Sequence, residues 1–187
     1  MSNIKVDTKK RERIFQGDIF KDIEYIEGAE EKEGIIEISK IVFPLVIVLS
    51  QDCDLAQDFK YRKNSSEGNN QDKYLISVIV APLYNAEHVY EGNHLSELGL
   101  SMQSIKKNRS PGDFLRLNSN PRYHYIEFSE KDVNICDSII DFKHYFTVNL
   151  NYLLSIKKNN CVCKVNELYR ERISQRFSNF LSRIGLP

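Results

Sequence analysis

The chain has 187 residues, 41% of them hydrophobic with ten Phe and ten Tyr, which supports one sizeable core and a single domain over 1–187. Lys+Arg and Asp+Glu are equal at 26 each, so bulk charge neither demands nor excludes a polyanionic partner. With no charged-then-apolar leader, no apolar run near the ~18 residues of a membrane span and no CxxC pair, the sequence sets aside membrane insertion and structural zinc.

A cytoplasmic chain with reduced thiols and no cofactor is therefore expected. Residues 1–13, with Lys5, Lys9, Lys10, Arg11 and Arg13, read as a flexible basic tail. In "IFQGDIF" (14–20) Gly17 supplies a permissive turn, and Ile19 and Phe20 start a strand. The acidic "EGAEEKEG" (27–34) reads as a solvated loop. "IIEISKIVFPLVIVLS" (35–50) has strand composition, alternating at first and then wholly apolar from 45 to 49, as a strand buried on both faces requires. Pro44 cannot donate to a ladder, so it marks the start of that strand or a bulge in it.

Polar residues 60–73 form a surface loop. "YLISVIVAPLY" (74–84) is another strand, closed at Ala81-Pro82. Over 85–110, Leu95, Leu98, Met102 and Ile105 fall at helical spacing, which predicts a helical insertion. Pro111-Gly112 is a turn, and two short strands around 118–121 read as a hairpin. Residues 137–154 give a further strand ending in a helical turn. The last element, 165–185, places Tyr169, Ile173, Phe177, Phe180 and Ile184 on one stripe of an amphipathic helix. Asn166 is its N-cap and Gly185 its stop, while Arg170, Arg172, Arg176 and Arg183 form a solvated basic face. Strands outnumber helices, so the fold class is α+β, a small antiparallel barrel or half-barrel.

"SQDCD" (50–54) is the most reactive stretch, because a buried strand ends there in two acids flanking a cysteine. Continued alternation sends Asp52 and Asp54 to one face and Cys53 inward, as a buried structural thiol. The two acids then cap a following helix, or hold a divalent cation together with Asp18. As a nucleophile Cys53 needs a base, for which His124 and His144 are the candidates. Arg122, Tyr123 and His124, with Arg170 and Arg176, combine basic and aromatic groups in the way a single-stranded nucleic acid is bound.

"GDIF" (17–20), "FPLVIVLSQD" (43–52) and "VIVAPLYN" (78–85) together resemble the opening strands of the MazF/PemK family of small SH3-like barrel toxins. The whole chain is also similar to an uncharacterised bacterial group bearing S-Q-x-C-D-[LI]. The first resemblance implies a partly open SH3/PemK-like barrel, often dimeric, whose catalytic members cleave RNA without metal. In that family an Arg precedes the strand's Pro and a Thr follows the second Pro-aliphatic pair. Phe43 and Tyr84 stand there instead, and phenylalanine offers a phosphoryl transition state neither donor nor charge. The first functional expectation is thus a divergent barrel of a toxin–antitoxin or phage-defence setting, binding nucleic acid or a partner protein without ribonuclease chemistry. A hydrolase or ligand- or metal-binding protein using Asp52, Cys53 and Asp54 is the second, and an endoribonuclease toxin the third.

Overall fold

The computed structural model describes residues 4–63, 71–107, 115–129 and 131–183. Eight strands are present among them: β1 (Val6–Asp7), β2 (Asp18–Lys32), β3 (Ile35–Val48), β4 (Ser77–Asn85), β5 (Tyr123–Ile126), β6 (Ser138–Asp141), β7 (Phe146–Asn149) and β8 (Cys161–Val165). Four α-helices accompany them: α1 (Asp52–Lys63), α2 (Ala86–Glu91), α3 (Leu150–Asn160) and α4 (Glu167–Leu181). The strands run β1-β8-β2-β3-β4-β6-β5 in one antiparallel sheet, with β7 also on β4. The fold is α+β, a curled antiparallel half-barrel. Its two ends meet where Ile4 bridges Phe128 in parallel and donates its N–H to the Glu127 carbonyl at 2.8 Å. None of the described helices is long and apolar enough to cross a membrane.

The apolar run at 45–49 is buried on both faces, and alternation divides it between two cores. Ile47 joins Ile19, Ala81, Leu83 and Phe142 under Ile173 and Phe177 of α4. Val46 and Val48 join Phe20, Val78 and Val80 under Leu55 of α1 and Leu153 of α3. A third cluster gathers Tyr84, Val89, Leu95, Leu115, Tyr125 and Ile139. Pro82 lies inside β4, opposite Val46 of β3 and between the residues that pair with β7 (77–80) and those that pair with β6 (83–85). Pro44 lies inside β3, and across from it Asp22 turns to φ +55°, interrupting the β2–β3 ladder at that point.

Four expectations are corrected. The basic tail is tied down from residue 4: Ile4 is buried and β1 pairs with β8. The acidic 27–34 stretch is the end of a hairpin, because β2 pairs with β3 as far as Lys32 and Ile35. Glu33 and Gly34 close it with φ of 54° and 78°, the twist a two-residue turn needs. Among its described residues the 85–110 insertion holds only α2 and a short 3-10 turn (Ser96–Leu98); after these the chain has no regular secondary structure through 106 and is held as Met102 and Ile105 donate to the Gly92 and Tyr90 carbonyls. Gly92 allows that approach, since a Cβ there would meet the Met102 oxygen at 2.2 Å. No hairpin forms at 118–121 either. The Asn118 side chain instead accepts from the Tyr125 N–H and donates to its carbonyl, standing in for a strand. Pro111-Gly112, the tip of the 60–73 loop and the 184–187 helix end lie outside the described residues.

Asn166 caps α4 by accepting from the Tyr169 N–H, and Ile173 and Phe177 are buried. The opposite face is not wholly solvated. Arg176 donates to the carbonyls of Asn118, Asn120 and Tyr123, fastening α4 to the chain entering β5. Charge-assisted bonds of this kind are each worth ~1.5–3 kcal/mol, and their loss leaves carbonyls short of donors. Arg176→Met is therefore expected to lower unfolding stability by about 2–4 kcal/mol in urea titration. A loss within experimental error would mean that water satisfies those carbonyls equally well.

Candidate functional site

The acid–cysteine turn is a helix start rather than an extended segment, and this changes where each side chain points. Asp52 opens α1, and its carboxylate takes both Arg13 guanidinium nitrogens at 3.1 and 2.9 Å. The Gln16 N–H at 3.2 Å and Arg170 at 3.5 Å complete its surroundings. Partial burial raises its pKa, but Arg13, Gln16 and Arg170 outweigh that and hold it below the usual carboxylate value. Gln16 also donates to the Leu49 carbonyl and to Ser174 of α4, while Ser50 accepts from the Ile79 N–H at 2.7 Å. Asp52 and Ser50 are thus fasteners between segments.

Cys53 is exposed, contrary to the buried thiol expected from alternation. It lies near Gln51 and Asp54 at 3.5 and 3.6 Å and touches no histidine among the described residues. Asp54 is exposed and makes no capping bond among the described residues. Asp18 is buried elsewhere, accepting from Lys157 at 2.6 Å and from the Phe15 N–H at 3.0 Å. Asp18, Asp52 and Asp54 therefore do not converge, and among the described residues no three His, Cys, Asp or Glu gather as metal ligands.

The basic-aromatic group is also turned inward. Arg122 grips Asp141 through Nε at 2.8 Å and through Nη2, with its guanidinium 4.7 Å from the Tyr123 ring centre. Arg170 and Arg176 are committed to Asp52 and to carbonyls. His124 is 4% exposed, and burial, helped by Arg176 and Arg172, pushes its pKa down to about 3. Neither His124 nor His144 approaches Cys53.

A different cluster is assembled where the chain breaks between β6 and β7. Asp141 caps the 3-10 turn Phe142–His144 by accepting from the Lys143 N–H. That tight turn sets residues three apart on one side, so His144 Nδ1 comes within 3.4 Å of Asp141 Oδ2. The same nitrogen lies 3.1 Å from the Tyr84 hydroxyl, at the end of β4. His94 stands with its ring centre 4.9 Å from that of Tyr84, and both its ring nitrogens are buried. Burial lowers the pKa of His94 and His144, outweighing Asp141, and raises that of Tyr84. The cluster is a neutral phenol–imidazole pair backed by an Asp–Arg pair whose charges cancel.

Tyr84 and His144 open onto a cavity of about 250 Å³ walled by Tyr25, Phe43, Tyr145 and Phe146 and by Leu95, Leu98 and Leu100. Phe43 stacks on Phe146 at 5.0 Å, and Tyr25 meets it edge-on at 5.2 Å. None of the described lining residues is charged at neutral pH. Sequence reading named Tyr84, Arg122 and His144 singly and missed Asp141 and His94; the Asp-x-x-His spacing at 141–144 was the available signal. No protein-family model and no curated protein matches the chain.

Two measurements check this geometry. His124 ionises near 6.5 when unfolded and near 3 when folded, so the stability its burial supplies is complete above that range and is lost as pH falls through it. Imidazole resonances of His94, His124 and His144 are expected to titrate below the ordinary histidine value in NMR, with His124 unchanging across the ~5–8 interval. Ordinary titration of His124 would contradict its placement. For the thiols, Cys53 and Cys136 should react with Ellman's reagent in the native protein. Cys161 and Cys163, pushed up by burial to about 11 and about 12, should wait for denaturant. Slow native labelling at Cys53 would restore the buried-thiol reading.

Proposed function

We propose that this is a divergent, MazF/PemK-like barrel that binds a partner protein and has no ribonuclease chemistry. The observation that carries this reading is the cavity beside Tyr84 and His144, which is aromatic, uncharged and placed at the root of an acidic arm. Phosphoryl transfer needs donors aimed at developing charge. At the two positions where the resemblance expects Arg and Thr, Phe43 is stacked on Phe146, and Tyr84 is bonded to a neutral imidazole. The neighbouring cation, Arg122, is neutralised by Asp141.

The arm is the β2–β3 hairpin beyond Tyr25 and Ile41. Between 24 and 40 it carries six glutamates against two lysines, and Ile26, Ile35, Ile36 and Ile38 on it are more than half exposed. Such a surface repels a phosphate backbone and suits an extended segment with an aromatic or Leu anchor in the cavity and basic residues along the arm. The toxin–antitoxin or phage-defence setting rests on the sequence resemblance.

Two results are expected. Purified protein leaves single-stranded RNA intact, and metal-independent cleavage that survives mock-purification controls would overturn the reading. Selection from a random peptide library should enrich an aromatic or Leu anchor flanked by Lys or Arg. Binding of a selected peptide should fall about tenfold in Tyr145→Ala, a half-exposed wall residue whose ring also meets Phe177 of α4, measured well below the variant's melting temperature. Enrichment of no such pattern, or indifference to Tyr145→Ala, would contradict it.

A further inference from the structure

A second cavity, of about 400 Å³, lies on another part of the molecule, between the N-terminal segment (7–18), α3 and β8. Six cations line it: Lys9, Lys10, Arg11, Lys157, Lys158 and Lys164. The three carboxylates that share it already have partners. Asp7 pairs with Arg11 at 2.6 Å, Asp18 with Lys157 at 2.6 Å, and Glu12 with Lys63 at 3.4 Å. Lys9, Lys10, Lys158 and Lys164 form no ion pair among the described residues, so the cavity carries an uncompensated positive charge.

The arrangement is held in place by the fold. Asp7 pairs with Lys164 in the β1–β8 ladder, and Lys10 Nζ donates to the Lys158 carbonyl at 3.2 Å, drawing the segment across the mouth. Phe15 gathers charge around its ring, with Arg13 at 3.6 Å and Lys164 at 4.6 Å from the ring centre. At the floor, the nearly buried Lys157 ammonium gives one N–H to Asp18 and a weak one to the Cys161 sulfur at 3.8 Å. An ammonium has three donors, which leaves one for a ligand.

We propose that this cavity binds phosphate groups, two or more in a row, of a nucleotide or of a single strand's backbone. Several ammonium groups lining one cavity, beside the apolar Phe15, Leu154 and Val162, match a chain of phosphates better than a lone carboxylate. Burial keeps the Cys161 thiol protonated, so it adds no opposing charge. The site shares no lining residue with the aromatic cavity.

Calorimetric titration of the full chain at low salt tests it, with inorganic triphosphate, ATP and a 5′-hydroxyl RNA oligonucleotide as probes. Triphosphate should bind, weaken as salt rises from about 50 to 200 mM, and lose about tenfold in affinity in the Lys10→Gln/Lys164→Gln variant. Lys131→Gln, which is exposed and outside the cavity, should bind as wild type does. ATP binding more tightly than triphosphate assigns a nucleotide, and the oligonucleotide binding more tightly than both assigns a strand. If that variant does not fold, Lys9→Gln/Lys158→Gln takes its place. Absence of triphosphate binding at low salt, or equal loss in the Lys131→Gln control, would overturn the site.

Discussion

The ion pair between Asp52 and Arg13, with Arg170 behind it, joins three parts of the chain that are remote in sequence. Arg13 belongs to the segment that leads into β2, Asp52 follows the central β3 and begins α1, and Arg170 lies on α4. Held at this point, the N-terminal segment runs along β8, Gln16 reaches the Leu49 carbonyl, and α4 settles over the core containing Ile47. The pair is only partly exposed, so its strength is less eroded by solvent than that of a surface bridge. The buried β3 is followed by Ser50 and Asp52 because their polar groups fasten neighbouring elements.

With the scaffold fixed in that way, charge is separated across the molecule even though the total is balanced. The arm that extends from the sheet is acidic and apolar, and the cavity at its root holds an uncharged Tyr84–His144 pair. The cleft beside β8 is basic, and its carboxylates are already matched. Arginines that appear suited to a polyanion in the sequence are spent internally: Arg122 on Asp141, Arg170 on Asp52 and Arg176 on backbone carbonyls. Lysines, which hydrate more strongly, remain at the cleft.

What the sequence disclosed follows from the range of the interactions concerned. Local signals were legible: the doubly buried run at 45–49, the Asn166 cap and the apolar stripe of α4 each depend on near neighbours. The acidic 27–34 stretch has a loop's composition and still forms a hairpin, because ladder pairing between β2 and β3 outweighs the solvation preference of exposed glutamates. The helical spacing of Leu95, Leu98, Met102 and Ile105 belongs to an irregular segment that packs Leu95, Met102 and Ile105 against Tyr84 and Tyr90 and leaves Leu98 exposed at the cavity. A strand period carried on to Cys53 points it inward, but β3 ends at Val48 and Cys53 lies in the first turn of α1, where it is exposed. The Tyr84–His144–Asp141–Arg122 cluster was beyond sequence reading, since its members span 84–144 and meet only because β4, β5 and β6 are neighbours.

The claim on which this description rests is that Asp52 serves as a fastener through Arg13. A double-mutant cycle with Asp52→Asn and Arg13→Met, read by equilibrium urea unfolding at neutral pH, measures their coupling directly. For a bidentate, partly buried pair the coupling should be about 1–3 kcal/mol, and it should shrink as pH falls through the depressed pKa of Asp52. Simple additivity of the two substitutions, with no coupling at any pH, would show that the turn does not hold the fold together and would reopen Asp52 as a functional group.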